Sequence, residues 1–219
     1  LASLRIQLPA AAFKMDVRPL LKLVLNAFLG SSTGLVDMCV EHLPSAAEAS
    51  KAATTTAPPD SVLARAIERC DAQGPLLIQI AKVYPTSDAT EFRAFGRVLS
   101  GTVSCGQSVK VLGPTYTPED EEDMAVETVS GVYVAEARYA VHAPGVPAGN
   151  WVLLSGIDAT IAKSATVCDT ALPVADTYVL RPIVHMTESV LKVAIEPLRP
   201  AELPKMLDGL RKVNKCYPL

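Results

Sequence analysis

The chain has 219 residues, 49% of them hydrophobic and 20% charged, the make-up of a folded protein with one large domain or one medium domain and flanking pieces. A net charge of −3 excludes wholesale, sequence-blind nucleic-acid binding, which needs many cations on phosphates, but leaves room for local RNA contacts from a basic patch. No apolar run approaches the ~18 residues that cross a bilayer, and no basic start followed by an apolar block opens the chain.

Asp16 is placed to cap a helix over about 17–29, with Pro19 in its permissive first turn and Leu21, Leu25 and Phe28 on one face. Gly30 to Gly34 breaks it. Ser32 or Thr33 then opens a second helix with Leu35, Val36, Cys39, Val40 and Leu43 on one side, and Pro44 stops it. Residues 1–44 are therefore a helical unit whose apolar faces call for a partner. Residues 45–60 are rich in Ala, Ser, Thr and Pro and read as a linker, followed by a short helix over about 61–70 through Val62, Ala66 and Ile67.

From Leu76 the character changes to short β-type runs: 76–83, 92–99, 109–112, 126–134, 139–142, 151–154 and 161–167. Glycines at 96, 101, 106 and 113 punctuate the central part. Many short strands with frequent Gly and Pro predict a small closed β-barrel over 74–173, with Gly96 marking a bulge or a close backbone approach. Arg93, Phe95, Arg97 and Leu99 share one strand face, expected to be partly covered. From about 174 a further unit begins. Val190–Glu196 alternates like a strand, and a helix is expected over about 201–213 with Leu203, Met206, Leu207, Leu210 and Val213 as its stripe. One strand and one helix cannot close a core, so this last unit is expected to be the start of a domain.

The chain contains no Gly-Lys pair, hence no loop of the kind that cradles nucleotide phosphates with backbone N–H groups and one lysine. Asp71-Ala72-Gln73-Gly74 fits a short Asp-x-x-Gly pattern, which without that loop does not make a magnesium or γ-phosphate site. Asn214-Lys215-Cys216-Tyr217 begins like a guanine-recognition motif but lacks its closing Asp. Gly30-Ser31-Ser32-Thr33-Gly34 fits Gly-x-Ser-x-Gly, yet a nucleophile elbow follows a strand and here a helix precedes. His42, His142 and His185 have no metal-ligand spacing. The five cysteines (Cys39, Cys70, Cys105, Cys168, Cys216) are scattered and odd in number, without a C-x-x-C, and are expected to be reduced thiols in an intracellular protein. No catalytic residue, metal ligand or cofactor site is expected in this chain.

Two charge features stand out. Glu119, Asp120, Glu121, Glu122 and Asp123 repel one another and must form an exposed loop, either a solvated turn or a docking element for a basic partner. Lys205, Arg211, Lys212 and Lys215 sit on or just beyond the terminal helix, as dipole-compatible cations on a solvated face or as contacts to RNA or a partner.

Gly96-Arg97-Val98, Gly101, Gly106, Val109-Lys110-Val111, Gly113 and Val146-Pro147-Ala148-Gly149-Asn150-Trp151 resemble the second domain of translational GTPases, a β-barrel. Glu196-Pro197 and Leu203 to Leu210 resemble the opening of domain III in elongation factor 2. The stretch Tyr116–Asp123, Trp151, Leu210–Lys215, and in the first unit Val17–Leu21, Gly34–Val40 and His42–Ser45 resemble the spliceosomal branch of that family, the GTPase component of the U5 small nuclear ribonucleoprotein.

The resemblance implies a mainly β fold with flanking helices. Residues 1–44 would close a GTPase domain, 45–73 would link, 74–173 would be barrel domain II, and 174–219 would begin a ferredoxin-like domain III. It implies a fragment of a protein acting in pre-mRNA splicing in the nucleus, through GTP-dependent control of spliceosome activation and disassembly. Its partners would be a large scaffold protein, an RNA helicase, small nuclear RNA and its own GTPase domain. GTP and magnesium are implied for the intact protein only, so this chain is expected to be inactive as a GTPase alone. Trp151 joins the acidic loop and the four cations as a candidate partner or RNA contact. The alternatives are a cytoplasmic ribosomal translocase of the elongation factor 2 class and a stand-alone β-barrel interaction module.

Overall fold

The computed structural model describes residues 6–30, 33–53, 61–119, 121–183, 186 and 190–217. Two compact units divide the chain, 1–45 and 46–219. The first holds a short 3-10 turn, Ala10–Lys14, and two helices, α1 (Val17–Leu29) and α2 (Thr33–His42). α1 starts after Asp16, but the Asp16 side chain makes no capping hydrogen bond. It ends at Gly30, whose φ of 65° stops the helix while its N–H still reaches the Asn26 carbonyl. A helix thus precedes the Gly-x-Ser-x-Gly match, where a nucleophile elbow would follow a strand. Ser31 and Ser32 lie outside the described residues. Leu21, Leu25 and Phe28 of α1 and Leu35, Val36 and Val40 of α2 are all exposed.

The second unit opens with α3 (Ala46–Ala53) and α4 (Val62–Glu68). Residues 46–53 are helical where the sequence reads as linker. Five alanines in eight residues give that stretch strong helix propensity, and Ser50 returns its hydroxyl to the Ala46 carbonyl. Residues 54–60, the rest of that linker reading, lie outside the described residues. Ser61 caps α4 by accepting the Ala64 N–H at 2.9 Å.

Ten strands follow: β1 (Leu77–Pro85), β2 (Phe92–Ser100), β3 (Thr102–Ser104), β4 (Ser108–Leu112), β5 (Met124–Thr128), β6 (Gly131–Glu136), β7 (Tyr139–His142), β8 (Gly145–Pro147), β9 (Trp151–Ser155) and β10 (Ala165–Asp169). Eight of them pair in the order β5-β4-β10-β1-β2-β9-β6-β7, and β3 pairs with β8. Every pairing is antiparallel. The strands share one apolar interior built from Ile78, Ile80, Val83, Ala94, Val98, Val111, Val132, Val152, Leu154 and Val167. Val103 and Val146 bring the small β3–β8 sheet into that same core. The expected barrel is thus present, with β5 and β7 at the ends of its eight-stranded ladder.

The strand alternation decides which side each residue serves. In β1, Ile78 and Ile80 point inward, and an irregularity between Ile80 and Lys82 then shifts the phase so that Val83 is inward while Lys82 and Tyr84 face out. Opposite it, Gly96 is a close approach: a Cβ there would stand 2.5 Å from the Gln79 carbonyl oxygen. Gly101, at φ 77°, turns β2 into β3 beside the Leu76 backbone, where a Cβ would come within 2.7 Å.

A second apolar cluster lies outside the barrel wall. Leu63 and Ile67 of α4 pack with Leu77, Leu99, Leu112, Tyr116, Cys168, Leu172 and Leu180. Fully burying one such aliphatic side chain is worth about 1.5–3 kcal/mol, so α4 is anchored to the barrel as part of its structure. Met206, Val213 and Lys215 belong to the last helix, α5 (Leu203–Cys216), which follows a 3-10 turn at Pro200–Glu202.

Three details differ from the sequence reading. The run 126–134 splits into β5 and β6, because Val129 bonds to Gln107 and Ser130 turns to Ser155, carrying the chain from one end of the ladder, β5, to the last strand but one at the other, β6. β3 and β8, three residues each, are too short to show a period. The strand expected over 190–196 is not formed. Val190, Leu191, Val193 and Ile195 are exposed and no strand pairing includes them among the described residues; a single strand without a neighbouring strand does not make a sheet.

Candidate functional site

The acidic loop joins β4 to β5 and is more built than its charge suggests. Tyr116 is buried in the outer cluster under α4. Asp123 accepts the Thr115 N–H at 3.0 Å and the Thr115 hydroxyl at 2.5 Å, while its carbonyl accepts the Gly113 N–H. A Cβ at Gly113 would meet the Asp123 carboxylate at 2.1 Å, so that glycine leaves room for the loop to close. Asp123 therefore acts inside the loop. Glu119 and Glu122 are exposed on it, Glu121 begins a 3-10 turn through Asp123, and Asp120 lies outside the described residues.

The four cations of the terminal helix separate in role. Lys215 donates to the Asp158 carboxylate at 2.9 Å and to the Asp158 carbonyl, and its ammonium lies 4.8 Å from the Phe92 ring centre. With a side chain only 17% exposed, it ties α5 to the barrel. Cys216 beside it packs on the interior cluster. Lys212 pairs with Asp208 one turn back at 3.1 Å, an exposed pair of the kind worth a few tenths of a kcal/mol. Lys205 and Arg211 are exposed.

Trp151 lies on the outer face of the barrel, 47% exposed, and stacks on Phe95 with ring centres 4.9 Å apart and planes at 7°. Phe95 also meets the Tyr84 ring edge-on at 5.8 Å. The registers Lys82↔Phe95, Phe95↔Leu153 and Tyr133↔Leu153 make one row across β1, β2, β9 and β6. Cations lie over this row: Lys82 is 5.2 Å from the Tyr84 ring centre and Arg93 4.6 Å from that of Tyr133. Arg97 reaches the Ala46 carbonyl at 3.5 Å. The sequence reading places Arg93, Phe95 and Arg97 together on one strand face, and the structure does the same. The sequence reading gives no sign of Tyr84 beside them, because the phase shift in β1 hides Tyr84 from a simple alternation count.

The remaining motif matches are structural. The Asp71 carboxylate accepts the Gln73 N–H, and its carbonyl accepts the N–H groups of Gly74 and Gly101, closing the turn before β1. His42 and His142 are exposed in different units, and His185 lies outside the described residues. No group of three metal-ligating side chains occurs among the described residues. All five cysteines are free thiols. Burial pushes the Cys168 thiol up to about 11, against a smaller opposing pull from Lys110.

Residues 92–168 match the family described as elongation factor Tu domain 2. Along its whole length the chain is 45% identical to the 109 kDa U5 small nuclear ribonucleoprotein component GFL of Arabidopsis thaliana, covering 23% of that protein. It is 45% identical to the 110 kDa U5 small nuclear ribonucleoprotein component CLO of the same plant, covering 22% of it. It is 46% identical to the pre-mRNA-splicing factor cwf10 of Schizosaccharomyces pombe, covering 23% of it. The chain thus spans under a quarter of the length of the curated relatives it matches. The matched residues contain Phe95, Tyr133, Trp151 and the acidic loop, while Lys82 and Tyr84 precede them and α5 lies beyond.

Proposed function

We propose that the chain serves pre-mRNA splicing as part of the U5 small nuclear ribonucleoprotein, with residues 92–168, which match the elongation factor Tu domain 2 family, as its barrel. The observation that carries this is the identity of 45–46% across the entire chain to two U5 components and a splicing factor. Those names favour a spliceosomal role over a ribosomal translocase, and they imply a nuclear location. A stand-alone module is disfavoured because the likeness runs on through both helical flanks.

Within that role the barrel is a relay and docking part. The residues here do not fit GTP: no Gly-Lys pair exists, and the Asp71–Gly74 turn is committed to its own main-chain bonds. In the intact protein, GTP and magnesium would be held elsewhere. GTP-dependent control of spliceosome activation and disassembly would then reach this segment through an interface with two arrangements. A large scaffold protein, an RNA helicase and small nuclear RNA of the U5 particle are the proposed partners.

Immunoprecipitation of the tagged protein from its own cells, followed by RNA sequencing, tests the reading. Enrichment of U5 small nuclear RNA over ribosomal RNA is expected, and the reverse enrichment overturns it.

A further inference from the structure

Beside the aromatic row, the outer wall opens into a groove of about 450 Å³ that no described residue fills. Its floor is apolar, with Phe95, Leu153, Ala135 and Ala140. Tyr84 and Tyr139 stand at its sides, 43% and 66% exposed. Arg93 and Arg138 occupy its rim. Each arginine lies against a tyrosine ring, Arg93 at 4.6 Å from Tyr133 and Arg138 at 5.7 Å from Tyr139. Among the described residues neither pairs with a carboxylate. A guanidinium near a ring and outside any ion pair can still offer N–H groups to a planar, two-point acceptor.

The groove is bounded by β7, the end strand of the ladder. The Ala143 N–H donates to the Val132 carbonyl, which sets the parity of the β6–β7 pairing. By that alternation Tyr139 and Val141 turn their main-chain groups toward β6. Ala140 and His142 turn theirs to the open side. Ala140 also lines the groove, so a residue added opposite it would project its side chain onto the same outer face.

We infer that this groove and the β7 edge form a docking site for an extended, acidic peptide segment of a partner protein. The peptide adds as a strand beside β7, seats one large apolar side chain on the Phe95–Leu153 floor, and places carboxylates on Arg93 and Arg138. An open strand edge offers main-chain hydrogen bonds that a polypeptide can use. Two isolated guanidiniums on a chain of net charge −3 match a pair of carboxylates better than the continuous cation track a nucleic-acid backbone needs. The site goes beyond the splicing role and does not depend on it.

Fluorescence anisotropy on the whole 219-residue chain tests the site. The probe is a fluorescein-labelled peptide alternating aspartate with leucine and phenylalanine, and the competitor is unlabelled octauridylate. Saturable peptide binding is expected. Arg93→Glu combined with Arg138→Glu should weaken it about tenfold or more. Ala140→Pro should weaken it comparably, because it removes an outward N–H while leaving the β6 pairing intact. Arg138→Glu alone, on an exposed turn, keeps the test valid if the double variant fails to fold. No saturable binding, or binding indifferent to these changes, overturns the proposal. So does displacement of the peptide by octauridylate, which would assign the groove to nucleic acid. None of these outcomes bears on the U5 RNA enrichment.

Discussion

Lys215 holds the terminal helix to the barrel from a position that reads, in sequence, as one more cation on a solvated face. Its ammonium satisfies both oxygens offered by Asp158 and lies against Phe92. Lys215→Met keeps the aliphatic stem but strands Asp158, and should cost about 1–3 kcal/mol, seen as a lower urea midpoint with an unchanged slope. An unchanged midpoint would show that the pair contributes nothing. Cys168 gives a second residue-scale expectation. Its folded pKa of about 11 lies above that of a free thiol, so its contribution to stability is full below about 8.5–9 and is lost as pH rises toward 11. At pH 8 a maleimide should label exposed Cys105 and spare Cys168 until the chain unfolds. Neither role can be seen in the sequence: a lysine's partner 57 residues away and a cysteine's depth are both set by tertiary packing.

At the scale of elements, the sequence is most readable where one local rule acts alone. α1 follows from a 3.6-residue stripe and a terminal glycine, and β2, β7 and β9 follow from short apolar runs between turn residues. It is least readable where a long-range partner decides. The chain breaks at Val129 because the Gln107 carbonyl accepts the Val129 N–H while the Ser155 carbonyl accepts the Ser130 N–H. Residues 190–196 alternate well but form no ladder. α4 illustrates the same limit: Ala66 and Ile67 predict a helix, but only the structure shows it sealing the outer ends of β1, β2, β4 and β10. Ile67→Ala should therefore destabilise the barrel itself by about 2–5 kcal/mol, lowering its melting temperature in one cooperative transition. A separate early transition for α4 with the barrel unaffected would contradict this.

For the whole molecule, the division of labour is the main lesson. The chain matches relatives more than four times its length, and it carries a barrel and helical flanks with no phosphate-binding loop. Calorimetric titration with GTP and magnesium should give no heat of binding, and tight magnesium-dependent binding would overturn that expectation. The barrel was legible as a class from strand spacing, and the family resemblance supplied its place in a larger protein. The candidate site was legible only in outline. Of ten candidate contacts, Asp123 and Lys215 turn inward to structural tasks, while Trp151 gains meaning from Phe95, its neighbour on β2. The phase shift at Ile80/Lys82 carries this furthest. One extra residue, Ala81, stands unpaired on β1, so even-numbered residues serve the interior before it and the outer wall after it. Deleting it would leave Lys82 and Tyr84 outside and Val83 inside, because the Ile80↔Gly96 and Lys82↔Phe95 pairs would then follow one another without a break; what the strand would lose is the local bend and twist that a bulge adds, and with it the angle at which Tyr84 meets Phe95.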